Sequence, residues 1–116
     1  MSIYFTTREG RDLWNPANVT GRLFHDQVNS VARILAIESG LGPIASDEVI
    51  VDEPKFLQFV KSFAEFVLTA DPESGGRAVA QNCLGIAGAL AEKLGGRMSD
   101  VPEIVSLICD GRRVVG

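Results

Sequence analysis

The stretch Asp12-Leu13-Trp14-Asn15-Pro16 carries the only tryptophan of the chain directly into a predicted helix start. Asn15 is a favoured N-cap residue, and Pro16 suits the first helical position because its missing N–H would be unpaired there. Trp14 precedes the cap, where an apolar side chain can pack on the first helical turn. The stretch therefore predicts a short extended segment that one large ring docks onto a long helix.

The residues before this junction are typical of a β-hairpin. Ile3–Thr7 is rich in aromatic and β-branched residues and predicts a strand. The polar stretch from Arg8 to Arg11 predicts a turn, and Leu13-Trp14 a second short strand. Because a two-stranded hairpin is only marginally stable alone, we expect it to lie on the helices.

Helical patterns fill most of the remaining chain. Helix one is predicted from about Pro16 to Ser39, with Gly40 as its left-handed C-cap. Its predicted core-facing seam comprises Val19, Leu23, Phe24, Val28, Val31 and Leu35, and Ile34 and Ile37 widen the stripe towards its end. A loop and a possible short extended piece, Val49-Ile50-Val51, separate it from helix two.

The later helices have clearer boundaries. Helix two is predicted over Glu53–Thr69 with Asp52 as its cap, and helix three over Arg77–Leu94 after a flexible joint at residues 73–76. A short last helix is predicted from a cap at Asp100 to Asp110-Gly111, with residues 112–116 fraying or adding an edge strand. Helix three carries small residues that allow another helix to approach closely: Gly85, Ala87, Gly88, Ala89 and Ala91.

These patterns predict one domain over residues 1–116. The predicted fold is mostly α: a compact bundle of three long helices and one short helix with a small N-terminal β-hairpin. The composition, 46% hydrophobic and 22% charged, is that of an ordinary globular domain.

The charge and hydropathy of the chain argue against several classes of protein. The net charge of −4 argues against a nucleic-acid partner, which requires a concentrated basic face. The longest apolar run, Cys83–Ala91, is far shorter than the roughly 18 residues of a spanning helix, so we expect no membrane insertion. The N-terminus lacks the pattern of a signal peptide, and we expect a cytoplasmic protein.

Few residues are suited to chemistry. His25, the only histidine, is a candidate general base, but no nucleophile is placed near it by sequence, which favours a structural role. Cys83 and Cys109 form no Cys-x-x-Cys pair, and we interpret both as buried free thiols on apolar helical faces. We therefore predict no catalytic residue, no metal site and no cofactor.

The densest charge cluster is acidic and comprises Asp47, Glu48, Asp52 and Glu53. The spacing of a calcium-binding loop is absent, and helix capping explains Asp52 and Glu53. Asp47 and Glu48 are either solvated loop residues or a patch that faces a cationic partner. We take these two carboxylates, with Phe59 and Phe66 from the wide apolar arc of helix two, as candidate partner-binding residues.

Several motifs in the first half of the chain resemble a family of small uncharacterised actinobacterial proteins. The resemblance rests mainly on the junction Leu13-Trp14-Asn15-Pro16 and the loop Gly40-Leu41-Gly42-Pro43. It implies a shared fold and an actinobacterial, cytoplasmic origin. It implies no activity and no catalytic residues.

The function expected from these observations is that of a non-catalytic protein-interaction module, with an immunity-type or regulatory partner protein as the concrete version. The alternative is a homodimeric structural or ligand-sensing protein with helix two or three at the interface. A small enzyme that uses His25 with Asp26 or the acidic loop is the third hypothesis.

Overall fold

A computed structural model describes residues 1–73, 75–97 and 101–116. The described part is mostly helical and also carries a small sheet. Its elements are β1 (Tyr4–Thr7), β2 (Asp12–Trp14), α1 (Asn18–Leu35), β3 (Glu48–Val51), α2 (Glu53–Thr69), α3 (Gly76–Lys93) and α4 (Pro102–Val115). Ser74 of the predicted joint and the predicted cap Asp100 lie outside the described residues.

The sheet has three strands in the order β2-β1-β3. The predicted antiparallel hairpin is present, with Phe5 opposite Trp14. The extended piece after α1 joins it as β3, parallel to β1, with Tyr4 opposite Glu48 and Thr6 opposite Ile50. The prediction of a hairpin alone was therefore incomplete, because a parallel partner distant in sequence leaves no local turn signal.

The predicted start of helix one at Asn15 and Pro16 is wrong. The helix begins at Asn18, after an extended Ala17 that supplies no side-chain cap. The backbone before it pairs with the N-terminus instead: Ile3 N–H donates to the Pro16 carbonyl at 3.0 Å, and Asn18 N–H donates to the Met1 carbonyl at 3.1 Å. These two hydrogen bonds satisfy the N–H groups of Ile3 and Asn18, which a helix beginning at Pro16 would have left without this pairing.

The docking role predicted for Trp14 has a clear structural basis. Its ring is 7% exposed and lies against two phenylalanines, with centroid distances of 5.4 Å to Phe5 and 5.4 Å to Phe24. Phe5 and Phe24 are themselves 5.8 Å apart, edge to face. These three rings, hereafter the aromatic joint, connect β1, β2 and α1.

The predicted end of helix one is also wrong. The helix ends at Leu35, and Ala36 takes the left-handed conformation with φ 56°. Gly40 has φ +80° as well, but it serves a close approach, because a Cβ built there would overlap the backbone N of Phe56. The Gly40 carbonyl accepts a hydrogen bond from Asp52 N–H at 2.7 Å, which joins this loop to the start of α2.

The core-facing side of α1 differs from the predicted seam. Phe24 and Val28 are buried as predicted, but Val19 and Leu23 are exposed. Gly21 explains the difference, since a Cβ at Gly21 would lie 3.1 Å from Ile3 Cβ, and its absence lets Ile3, just before β1, pack against the other side of the helix.

The helix α2 supplies the centre of the core. Asp52 caps it as predicted, with its side chain accepting from Lys55 N–H at 3.3 Å. Four of its apolar side chains are fully buried: Phe56, Phe59, Val60 and Phe63.

The pair α3 and α4 is held together through small residues, as predicted for α3. A Cβ at Gly88 would lie 2.6 Å from Ile108 Cγ1, and one at Gly111 would overlap the Gly85 carbonyl. The predicted end of the last helix at Asp110-Gly111 is wrong, because Gly111 lies inside α4 as the point of closest contact. Lys93 then connects β2 to the end of α4, donating to Leu13 O at 2.7 Å and Val115 O at 3.0 Å.

The aromatic joint generates a stability prediction. Trp14→Ala should lower the free energy of unfolding by about 3–5 kcal/mol, because it removes a large buried ring and leaves a cavity. Urea denaturation measures the change, with the exposed Tyr4→Ala as the control. A loss below about 1 kcal/mol would contradict the burial of Trp14.

The helix pair generates a second prediction. Gly111→Ala should destabilise the protein by about 3 kcal/mol, because its methyl group must push two helix backbones apart. Ser106→Ala, an exposed change on α4, serves as the control. Equal thermal melting of the two variants would refute the close approach.

Candidate functional site

The acidic pair Asp47 and Glu48 lies at a tight turn. Ala45 and Glu48 exchange two backbone hydrogen bonds of 3.0 Å, so Ser46 and Asp47 form a two-residue turn. Both have positive φ values, 52° and 60°. Turns of this kind favour glycine, asparagine and aspartate, so the conformational cost, about 1 kcal/mol or more, falls mainly on Ser46.

The turn is fixed to the sheet from two sides. The Asp47 carbonyl accepts from Tyr4 N–H at 2.8 Å, and Glu48 begins β3 directly opposite Tyr4. The neighbouring residues Gly42 and Ile50 are joined by a backbone hydrogen bond of 2.9 Å. The acidic pair is therefore held in place by backbone contacts and not displayed on a loose loop.

The solvent-exposed face of the sheet adjoins this turn. Tyr4 and Ile50 are 44% and 38% exposed, and Glu48 is exposed between them. Within the ranges that the structure describes, neither Asp47 nor Glu48 forms an ion pair. We call the group Tyr4, Asp47, Glu48 and Ile50 the acidic face.

The other two predicted acidic residues behave differently. Asp52 caps α2 and also accepts from Arg8 Nη2 at 3.0 Å, so its charge is compensated. Glu53 occupies the first turn of α2, where the helix dipole favours a carboxylate. The predicted acidic cluster thus divides into Asp52 and Glu53, which serve the start of α2, and Asp47 and Glu48, which form no ion pair among the described residues.

The two aromatic candidates on α2 are not equivalent. Phe59 has no exposed surface and packs 5.6 Å from the Phe63 ring centroid, so it cannot contact a partner while the domain is folded. Phe66 is half-buried against the core. Tyr4 and Ile50 were not predicted as site residues, because their exposure depends on the register between β1 and β3.

A cleft of about 700 Å³ lies beside the acidic face, between the end of α1, the following loop and the start of α2. Two ion pairs lie along its wall: Arg8 with Asp52 at 3.0 Å, and Lys55 Nζ with Glu38 at 2.8 Å. The hydrogen bond to Glu38 raises the pKa of Lys55. The charges within each of these two pairs thus compensate one another.

His25 holds the wall of that cleft in place. Its Nε2 lies 2.8 Å from the Gly42 carbonyl, and Asn29 Nδ2 lies 3.3 Å from its Nδ1. Asn29 Oδ1 accepts from Ser39, whose Oγ accepts from Leu41 N–H. With a proton on Nε2 the ring donates to the Gly42 carbonyl, and its Nδ1 accepts from Asn29.

No group of three or more His, Cys, Asp or Glu side chains within ranges 1–73, 75–97 and 101–116 is arranged to hold a metal ion. None of the helices in the same ranges is long and apolar enough to cross a membrane.

The two cysteines differ, which corrects the prediction that both are buried. Cys83 is buried in α3, and burial raises the pKa of its thiol to about 12. Cys109 is exposed on α4, because Ile108 and not Cys109 faces α3.

A model of a family of unknown function, DUF6086, matches residues 1–107, so the chain belongs to that family. No curated protein and no solved structure matches the chain.

The cysteines generate a third prediction. At about pH 8 an aromatic disulfide reagent should label one thiol in the native protein, because only Cys109 is accessible, and two thiols after unfolding. Cys109→Ser should abolish the native labelling, and the release of the coloured thiolate measures it. Rapid labelling of two thiols in the native protein would contradict the burial of Cys83.

Proposed function

We propose that this member of the DUF6086 family is a non-catalytic protein-interaction module that binds a basic partner protein through its acidic face. More specifically, the proposed role is of the immunity type or regulatory: the chain binds and modulates the product of a neighbouring gene. A cytoplasmic site of action belongs to the same proposal.

The observation that carries the proposal is the turn at Ser46 and Asp47. Ser46 in the left-handed region is a cost that a connecting turn does not require, since asparagine there would form the same turn at a lower cost. Backbone strain of this kind persists where the surrounding structure fixes it and concentrates at functional sites. Here the fixed turn carries two carboxylates, and neither forms an ion pair with any other described residue.

The composition of the acidic face supports the same proposal. Tyr4 offers an aromatic ring with a polar tip, a residue type that is enriched at protein interfaces. Ile50 adds an apolar contact beside it, and the carboxylates at Asp47 and Glu48 would attract a positively charged surface and accelerate association. The overall net charge of −4 acts in the same direction.

The proposal predicts that binding depends on the two carboxylates. The double variant Asp47→Asn, Glu48→Gln should weaken binding of the neighbouring gene product about tenfold or more and flatten its salt dependence. Asn tolerates positive φ, so the turn is kept. Co-purification followed by calorimetric titration measures the effect.

The control removes two charges elsewhere. Glu9→Gln with Glu65→Gln makes the same change in net charge at two exposed positions, in the β1–β2 turn and on α2, and should leave binding unchanged. Equal loss in both double variants would show that only net charge matters. Absence of any complex at micromolar concentration would count against the interaction itself.

A further inference from the structure

The cleft beside the acidic face gathers cationic side chains from three separate elements. Arg8 comes from the turn between β1 and β2, Arg33 from the last turn of α1 and Lys55 from the first turn of α2. Two carboxylates, those of Glu38 and Asp52, line the same cleft. The lining therefore carries one more positive than negative charge, although the chain as a whole has a net charge of −4.

Arg33 is the source of this excess positive charge. Arg8 and Lys55 are each paired with a carboxylate of the lining, whereas Arg33 Nη2 donates to the neutral hydroxyl of Ser30 at 3.1 Å. Within ranges 1–73, 75–97 and 101–116, Arg33 forms no ion pair. A guanidinium has five N–H donors in a planar fork that matches the geometry of a carboxylate. Its remaining donors are therefore available to an anion in the cleft.

A less exposed donor lines the same cleft. Asn29 is half-buried, and its amide is oriented by two contacts: Nδ2 lies 3.3 Å from His25 Nδ1, and Oδ1 accepts from Ser39 Oγ at 3.0 Å. The Nδ2 group carries two hydrogens, and His25 Nδ1 can accept only one of them. The second hydrogen has no acceptor among the described side chains. Asn29 can therefore donate to a ligand without losing its contact with His25.

The remaining walls of the cleft are largely apolar. A volume of about 700 Å³ lies within the range of clefts that hold small molecules, roughly 300–1,000 Å³. Such clefts combine apolar walls with a few placed polar groups that fix the orientation of the ligand. An inorganic ion would leave these walls against water. The apolar side chains of the lining are those of Ala32, Ala36, Ile37, Leu41 and Ile50.

We propose that the cleft binds a small organic acid, with its carboxylate on Arg33 and Asn29 and its apolar body against Ile37 and Leu41. A single excess positive charge matches a monoanion. A phosphate monoester carries about −1.5 to −2 charges near neutral pH, so its second charge would be repelled by Glu38 and Asp52. The neutral amide of the same acid lacks the charge that Arg33 recognises.

This site is separate from the proposed binding of a basic protein. Arg33 does not belong to the acidic face, and the cleft shares only Ile50 with it. Asp47→Asn with Glu48→Gln should therefore not weaken the binding of the acid. Arg33→Gln should, in turn, leave the affinity for the partner protein unchanged. Failure of one proposal is thus distinguishable from failure of the other.

The first test titrates the isotope-labelled full chain with phenylacetate at about pH 7 and follows backbone amide shifts by NMR. The amides of Gly40 and Gly42, which line the cleft, should shift in a saturable way with a Kd of about 1 mM or below. Gly95, which follows the end of α3, lies outside the lining and should not shift.

The same titration with related probes tests the class of ligand. Phenylacetamide has the same body without the charge and should bind about tenfold or more weakly, because it loses charge-assisted hydrogen bonds to Arg33. Acetate and inorganic phosphate carry the charge without the apolar body. Both should bind more weakly than phenylacetate, because neither covers the apolar walls.

The second test changes the side chains of the cleft. Arg33→Gln should raise the Kd of phenylacetate about tenfold, and Ile37→Ser about threefold or more. Arg22→Gln is the matched control, because Arg22 is also exposed on α1 and its Nε donates to Asn18 Oδ1 at 2.6 Å, outside the cleft. It makes the same change in net charge and should leave the Kd unchanged. Thermal melting checks that each variant is folded.

Four results would overturn the proposal. Absence of saturable shifts at Gly40 and Gly42 up to about 10 mM phenylacetate would exclude the acid from the cleft. Equal affinity for phenylacetamide would refute recognition of the charge. Tighter binding of phosphate than of phenylacetate would replace the organic acid by an inorganic anion. Equal loss of affinity in Arg33→Gln and Arg22→Gln would show that only net charge matters.

Discussion

The aromatic joint is the interaction on which the arrangement of the N-terminal half depends. Trp14 lies at the end of β2, Phe5 at the centre of the sheet and Phe24 inside α1, and their rings contact one another pairwise. The three strands of the sheet are only three or four residues long, so its packing against α1 supports it. Because the three rings hold α1 against the sheet, the chain after α1 can return to the sheet as β3. The turn that contains Asp47 lies directly before this strand.

Local signals in the sequence predicted α2 and α3 well and α1 poorly. Asp52 and Pro54 mark the start of α2, because Asp52 caps the helix and Pro54 lies in its first turn. Gly95 follows the end of α3. The start of α1 depends on a distant partner, the Met1 carbonyl, and its end is closed locally around the left-handed Ala36, a conformation that alanine does not signal. Capping residues cannot reveal a hydrogen bond to a segment elsewhere in the chain.

The candidate site was predictable only in part, for a related reason. Asp47 and Glu48 stand out because two carboxylates in a loop lack helix-capping positions to explain them. Phe59 was assigned to a surface because a wide apolar arc on a helix looks the same whether it faces the core or a partner. The same ambiguity led to the prediction that Val19 and Leu23 lie in the core. They are exposed because the side of α1 that carries Gly21 packs against Ile3 instead.

The parallel pairing of β1 with β3 has a consequence for the order in which the chain folds. Tyr4 finds Glu48 only after the whole of α1 and its loop have been closed into place, and such non-local contacts form slowly because the entropy of a long loop is lost first. The contact between α3 and α4 joins neighbouring segments around Gly85 and Gly111 and has a low sequence separation. We therefore expect the C-terminal helix pair to form early in folding and the sheet that carries Asp47 and Glu48 to form later.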